Sequence, residues 1–222
     1  MRLFRWFIRK KQSKGHGVHS PFAFNLITNV IYSPYSYYAF KDIAVKKDDV
    51  YEKNNSKCRN NISKIKSFNH LSFRLVNHFK PKTILEIYPG DGLNSLFIKS
   101  YASSISYCGI DMSDIHSLAG QSEVEIQSEV HDVPKMSDMS KKYDAIFINI
   151  ERHTYCLPDI ECLLKHSSKQ TFWVINNINF KKSKQLWRSI VNDENVSMTF
   201  DVKNETGIAF LNDSFHKLHY FV

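Results

Sequence analysis

The stretch Thr83-Ile84-Leu85-Glu86-Ile87-Tyr88-Pro89-Gly90-Asp91-Gly92 (TILEIYPGDG) decides how this chain is read. An apolar run carrying one carboxylate, Glu86, leads into a turn with two glycines. That is the pattern of a buried parallel strand ending in a ligand-binding loop. Gly90 and Gly92 let the turn approach a ligand without Cβ obstruction, and the helix expected after Gly92 presents backbone N–H groups to it. One position where the backbone is expected to need glycine holds Tyr88 instead. A plain strand and turn is the ordinary alternative.

Working outward, the pattern from Ser67 onward alternates between two periods. A helix carrying Leu71, Phe73, Leu75, Val76 and Phe79 stops before Pro81. The strand at 83–88 follows, then a helix after Gly92 and a strand at 105–110 (ISYCGI) closed by Asp111. A weaker strand, VEIQ, is expected at 124–127. AIFINI (145–150) is a clearer one, broken only by Asn149. A helix begins near Asp159, and the strand TFWVI (171–175) is closed by Asn176-Asn177. The next helix carries Leu186, Trp187 and Ile190, and VSMTFDV and GIAFL flank a hairpin at 203–207. Continuous apolar strands alternating with helices imply an α/β, Rossmann-like, mostly parallel sheet covered on both faces. The C-terminal hairpin is expected to add an antiparallel edge.

Residues 1–66 read as a helical N-terminal extension and polar linker, and 67–222 as the Rossmann-like domain. Phe4, Phe7 and Ile8 share one helical face, and Phe22, Phe24, Leu26, Ile27 and Val30 form another apolar surface. Ser20 caps a helix whose first residue is Pro21. Residues 46–66 are mostly polar and read as a loop or linker.

The chain has 222 residues, 42% of them hydrophobic and 23% charged, as in a globular protein. No apolar run approaches the roughly 20 residues of a membrane span, and no signal-peptide cleavage pattern follows the start. Cys58, Cys108, Cys156 and Cys162 show no CxxC spacing, which fits free thiols in a reducing cytoplasm, with Cys108 in the core. The formal net charge is +8. Residues 1–14 carry Arg2, Arg5, Arg9, Lys10, Lys11 and Lys14 with no acid. Such a head attracts nucleic acid or an anionic membrane surface, or is simply a solvated face.

In an open parallel sheet the ligand lies beyond the carboxyl ends of the strands. That rule gathers Glu86 to Gly92, Asp111, Asn149 and Asn176-Asn177. Asp111 follows Gly92 by 19 residues, where a carboxylate accepts hydrogen bonds from both ribose hydroxyls; alone, it is equally a helix cap. Gly90-x-Gly92-x-x-Ser95 imitates a dinucleotide fingerprint with the third glycine replaced. Glu86 suits a ligand bearing an ammonium group, and the closing hairpin is unusual for a dehydrogenase. Both features favour S-adenosylmethionine over NAD.

With these residues in place, the chain resembles the class I S-adenosylmethionine-dependent methyltransferases, in particular an O-methyltransferase-like group common in Bacteroidetes-type bacteria. The resemblance lies in GVHSPF (Gly17 to Phe22), YYAFKDI (Tyr37 to Ile43), FRLVNHFKPKTILE (Phe73 to Glu86), YDAIFINI (Tyr143 to Ile150) and WVINNINF (Trp173 to Phe180). GIAFL and HYFV near the C-terminus also fit. It implies a methyltransferase that uses S-adenosylmethionine on an unidentified, small-molecule acceptor. Glu86, Tyr88, Gly90 and Gly92 would border the methionine part, Asp111 the ribose, and Asn149 the neighbouring strand tip. In the usual acid-x-Gly-x-Gly-x-Gly pattern the first glycine corresponds to Tyr88, where a phenol either crowds the methionine moiety or stacks outside it. Relatives carry aspartates at Asn149 and at Asn176-Asn177; neutral amides there bind Mg²⁺ or Ca²⁺ weakly, so no metal is expected.

Methyl transfer needs the acceptor in line with the sulfonium methyl and, for some acceptors, a base. His19 and His153 are the candidate bases. His16-x-x-His19 and His216-x-x-His219 have helical metal-ligand spacing but no third ligand. Tyr35, Tyr37, Tyr38 and Phe40 wall an acceptor pocket or belong to the core. The alternative of another class is a catalytically degenerate methyltransferase fold serving as a binding or scaffold module, which the Tyr88 and asparagine departures motivate.

Overall fold

The computed structural model of the chain describes residues 2–45, 64–102, 104–110, 141–151 and 156–222. The expectations placed on Asp111, His153, the strand at 124–127 and the linker from 46 to 63 lie outside the described residues.

The described strands form one seven-stranded sheet in the order β2-β1-β3-β4-β6-β5-β7. They are β1 (Thr83–Ile87), β2 (Ser106–Ile110), β3 (Tyr143–Ile148), β4 (Ser167–Asn176), β5 (Met198–Val202), β6 (Thr206–Phe210) and β7 (Leu218–Phe221). The pairs β1–β2, β1–β3, β3–β4 and β5–β7 are parallel. β6 runs antiparallel to both β4 and β5. The expected hairpin is therefore present but does not form the edge. β6 sits inside the sheet between β4 and β5, and β7, a short strand the periodicity did not mark, lies beyond them. Lys203 and Asn204 take φ of 53° and 56° at the hairpin turn, two successive left-handed residues whose twist matches that of the flanking strands.

Helices cover both faces, as the continuous apolar strands require. α1 (Arg2–Gln12), α2 (Pro21–Asn25) and the π-helical turn Leu26–Ile31 come first. α3 is helical over 39–45 within the described residues. α4 (Ser67–Phe79), α5 (Leu93–Lys99), α6 (Ile160–Lys165) and α7 (Lys181–Asn192) follow. Alternation along each strand sorts the core into two layers. Ile84, Phe147, Val174 and Phe200 pack with Leu26, Ile27, Leu75 and Val76 on one face. Leu85, Ile87, Ile146 and Trp173 pack with Leu163, Trp187 and Ile190 on the other. Gly207 on β6 is set by that second layer, because a Cβ there would lie 2.5 Å from the Trp187 ring.

α2 and the π-helical turn share the first core layer. Ser20 Oγ accepts from Ala23 N at 3.3 Å with Pro21 opening α2, as expected. α1 docks by polar contacts. Arg9 donates to Asp201 at 2.9 Å and to the Val222 carbonyl at 3.2 Å, and Gln12 accepts from Phe221 N at 2.8 Å. The apolar face expected for α1 is not buried: Phe4 and Phe7 are 70% and 57% exposed. Among the described residues no helix is long and apolar enough to cross a membrane.

Candidate functional site

β1, β3 and β4 run parallel and in register, so Ile87, Ile148 and Ile175 align and the residues after them gather at one end of the sheet. A small polar crevice opens there, walled by Asn69, Asn94, Asn149, Asn176, Asp91 and Glu151, with Lys64 and Lys66 on its rim. Asn149, Gly90's neighbourhood and Asn176 are thus brought together as the strand-end rule predicts.

Glu86 does not project into this crevice. Its side chain is fully buried. It accepts from Asn94 Nδ2 at 2.7 Å, Ser95 Oγ at 2.6 Å and the Tyr107 hydroxyl at 2.6 Å. Burial pushes its pKa up, and the three donors together with the charge of Lys99 pull it back. The same burial, followed by the proximity of Glu86, raises the pKa of Tyr107. Asn94 in turn accepts from Asn69 Nδ2 at 3.3 Å, and Asn69 accepts from the Lys66 backbone N at 2.8 Å. Glu86 is the buried end of a relay that ties β1 and β2 to the first turns of α4 and α5. Asn69, Asn94 and Tyr107 escaped the sequence reading. The only available signal was a polar residue on an otherwise apolar, inward-facing position.

Tyr88 resolves the turn. Its φ is 62°, the left-handed conformation in which glycine would be free. The ring is 6% exposed and joins the layer containing Leu85, Ile87, Ile110 and Leu163. Its hydroxyl donates to the Cys156 carbonyl at 2.5 Å. The phenol therefore belongs to the core on the face opposite Glu86 and does not plug the glycine turn.

Gly90 and Gly92 have φ of 58° and 74°. A Cβ on Gly92 would meet nothing within 4 Å, and one on Gly90 only Asn149 and Glu151 at 3.9 Å. Both glycines are needed for the backbone's hand, and among the described residues nothing closes the space before them. Asn149 accepts from Asn176 Nδ2 at 2.9 Å, so amides join the tips of β3 and β4 where two carboxylates would repel. Asn177, at φ 55°, donates to the Ile150 carbonyl at 2.6 Å and serves the turn into α7.

The remaining candidates are dispersed. His19 is exposed. His219 lies on β7 with Nδ1 2.7 Å from Thr199 Oγ1, so the helical spacing read for His216 and His219 does not exist. Among the described residues no three His, Cys, Asp or Glu side chains gather as a metal site. Tyr35 and Tyr38 are exposed, whereas Tyr37 and Phe40 pack against Phe73. Cys108 is buried, as expected.

No family model and no curated protein matches the chain. Solved structures do. An SAH-bound methyltransferase of Podospora anserina is 10% identical at a TM-score of 0.49, over 78% of this chain and 88% of that one. An O-methyltransferase from Bacillus cereus in complex with SAH is 11% identical at 0.45, over 80% and 92%. The O-methyltransferase TomG of Streptomyces achromogenes, in complex with SAM, is 13% identical at 0.45, over 80% and 91%. These are distant likenesses of shape and carry no conclusion about activity. By its own strand order, with a single antiparallel strand set between β4 and β5, the chain has the Rossmann-like α/β fold that its sequence resemblance to class I methyltransferases implies.

Proposed function

We propose that the chain is an S-adenosylmethionine-dependent methyltransferase acting on a small-molecule acceptor without a metal. The observation that carries this reading is the uncovered glycine turn at the tip of β1. Among the described residues nothing lies against Gly92 and only Asn149 and Glu151 come near Gly90, while the Tyr88 hydroxyl is tied to Cys156 and its ring packs in the second core layer. The donor set fits the methionine part of the cofactor. Asp91 and Glu151 suit its ammonium group, Lys64 and Lys66 its carboxylate, and Asn149 and Asn176 supply neutral amide partners. Glu86 contributes by holding Asn94 and Ser95 in place. Asp111 is proposed for the ribose hydroxyls, and His19 or His153 for proton removal.

When bound, the cofactor supplies an electrophilic methyl group on a sulfonium sulfur. The chain's own task is to orient the acceptor in line with it and to keep water away. Calorimetric titration with S-adenosylhomocysteine tests the proposal. Saturable binding that weakens about tenfold or more on Gly92→Val supports it; no binding at millimolar ligand overturns it.

A second proposed role belongs to α1. Its inward side is occupied by Arg5 over the Phe221 ring at 5.4 Å and by the Arg9–Asp201 pair. Its outward side exposes Phe4, Trp6 and Phe7 beside the exposed Lys10, Lys11 and Lys14. Interleaved aromatics and lysines on one helical face suit an anionic lipid surface. Co-sedimentation with phosphatidylserine vesicles, lost in a Phe4→Ser, Trp6→Ser, Phe7→Ser variant, is the expected result. Equal sedimentation of the variant, or retention of RNA in place of vesicles, overturns it.

A further inference from the structure

Beside the crevice lies a second cavity of about 110 Å³, lined by Tyr32, Ser67, His70, Arg74, Lys203 and Thr206, with the exposed Glu205 at its rim. The two spaces adjoin. Ser67 sits between Lys66 and Phe68 of the crevice, and Thr206 pairs in register with Asn176. The wall is built from elements far apart in sequence: the end of the π-helical turn, the first two turns of α4, and the β5–β6 hairpin.

Arg74 is the unusual residue. A half-buried guanidinium is expected to meet a carboxylate, because an uncompensated charge away from water is costly. Among the described residues the ion pairs are Arg9–Asp201 and Lys169–Asp213, and Arg74 belongs to neither. Its Nη1 donates to the Ile31 carbonyl at 3.3 Å. Its Nε is buried without any partner. Nε is closed off from solvent, so Nη2, which has no hydrogen bond and is not sealed in, is the donor that Arg74 presents to the cavity it lines. A charge-assisted N–H bond from a guanidinium suits a carboxylate or phosphate. Lys203 adds a flexible cation across the cavity. His70 stacks on Phe40 with centroids 4.3 Å apart. Burial, and then the charge of Arg74, holds His70 below its ordinary pKa, so at neutral pH it presents a neutral ring. A cavity of this size holds an anionic group and a few further atoms, and not a long chain.

We infer that this cavity is an anion site that holds the carboxylate or phosphate of a small acceptor against Nη2 of the Arg74 guanidinium. Naming that anion the acceptor rests on the methyltransferase reading; the anion site itself rests on Arg74, Lys203 and the cavity. The acceptor class is accordingly a compact organic acid or phosphate ester, positioned by its charge, with its methylated atom toward Asn176 and the glycine turn.

The test uses the full chain and four probes by calorimetry at constant ionic strength: benzoate, inorganic phosphate, the neutral isostere benzamide, and S-adenosylhomocysteine. Benzoate or phosphate is expected to bind saturably and benzamide not at all, and which anion binds tells carboxylate from phosphate. Arg74→Gln should weaken the anion by about tenfold or more, the effect of one lost charge-assisted hydrogen bond. Arg74→Lys, which keeps the charge but places its donor differently, should recover only part of it. Lys203 is exposed, so Lys203→Gln should fold normally and give a smaller loss, which decides the matter should the Arg74 variants be unstable. Equal binding of benzoate and benzamide, no binding of either anion, or unchanged affinity in both Lys203→Gln and the folded Arg74→Gln overturns the inference. Anion binding without S-adenosylhomocysteine binding would sink the methyltransferase reading and leave the anion site standing.

Discussion

Tyr88 holds a backbone conformation that costs an L-residue roughly 1–2 kcal/mol, and what it gains in return is a buried ring and the bond to Cys156. Tyr88→Phe keeps the ring and removes the hydroxyl's bond to Cys156, so urea unfolding should show a loss of about 1 kcal/mol. Tyr88→Gly relieves the strain but forfeits the packing, which is worth roughly 3–5 kcal/mol for a buried aromatic. It should be net destabilising by about 1–4 kcal/mol. Because the ring faces away from the glycine turn, neither variant should change the S-adenosylhomocysteine titration. The Glu86 relay makes a second residue-scale prediction. Tyr107→Phe removes one of three donors to a buried carboxyl and should cost about 2 kcal/mol by the same unfolding measurement. The sequence placed Glu86 at the strand end correctly but suggested a ligand as its partner; the partners turned out to be Asn94, Ser95 and Tyr107, which no spacing rule connects.

At the scale of elements, α7 lies on the sheet through Trp187, and β6 accommodates it by having no side chain at Gly207. Gly207→Ala puts a methyl 2.5 Å from a ring atom, so Trp187 or the strand must shift. Overpacking of this kind costs about 1–3 kcal/mol. The melting temperature should fall, and pairing it with Trp187→Leu should recover part of the loss in a double-mutant cycle. The hairpin shows how far local signals reach. Lys203-Asn204-Glu205-Thr206-Gly207 was legible as a turn because of its composition. The insertion of β6 beside β4 was not, since the pairing of Val174 with Ile208 is made by long-range contact between two equally apolar strands.

For the whole molecule, the closure of α1 over the β5 and β7 edge creates a pH-dependent element. His219 on β7 is contacted by Thr199 of β5 and Trp187 of α7, and lies near Arg5 and Arg9 of α1. Burial, then those two arginines, lowers its pKa from 6.5 to about 4. Above pH 6.5 the ring is neutral in folded and unfolded chains alike and contributes nothing to the pH dependence. Between 6.5 and 4 the unfolded chain takes up a proton that the folded chain refuses, so stability falls as pH falls and levels off below about 4. The full effect of that shift is about 3 kcal/mol. Glu86 and Asp201 have raised pKa values and act in the opposite sense. The measurement is therefore the difference in unfolding free energy between the parent and His219→Gln across this window: the parent should lose stability relative to the variant on acidification.

The sequence by itself determined the strands from β1 to β6, the helices between them, the cap at Ser20 and the two glycines at the end of β1. Each of these is a matter of periodicity or backbone conformation, and both act over a few neighbouring residues. Tertiary structure alone decided the direction of the Tyr88 ring, the burial of Glu86 among amides and a phenol, the place of β6 within the sheet and the unpaired edge of Arg74. Those features depend on which side chains meet from elements tens of residues apart. Two sequences with the same local pattern can satisfy or leave open the same polar atom, and only the packed chain chooses.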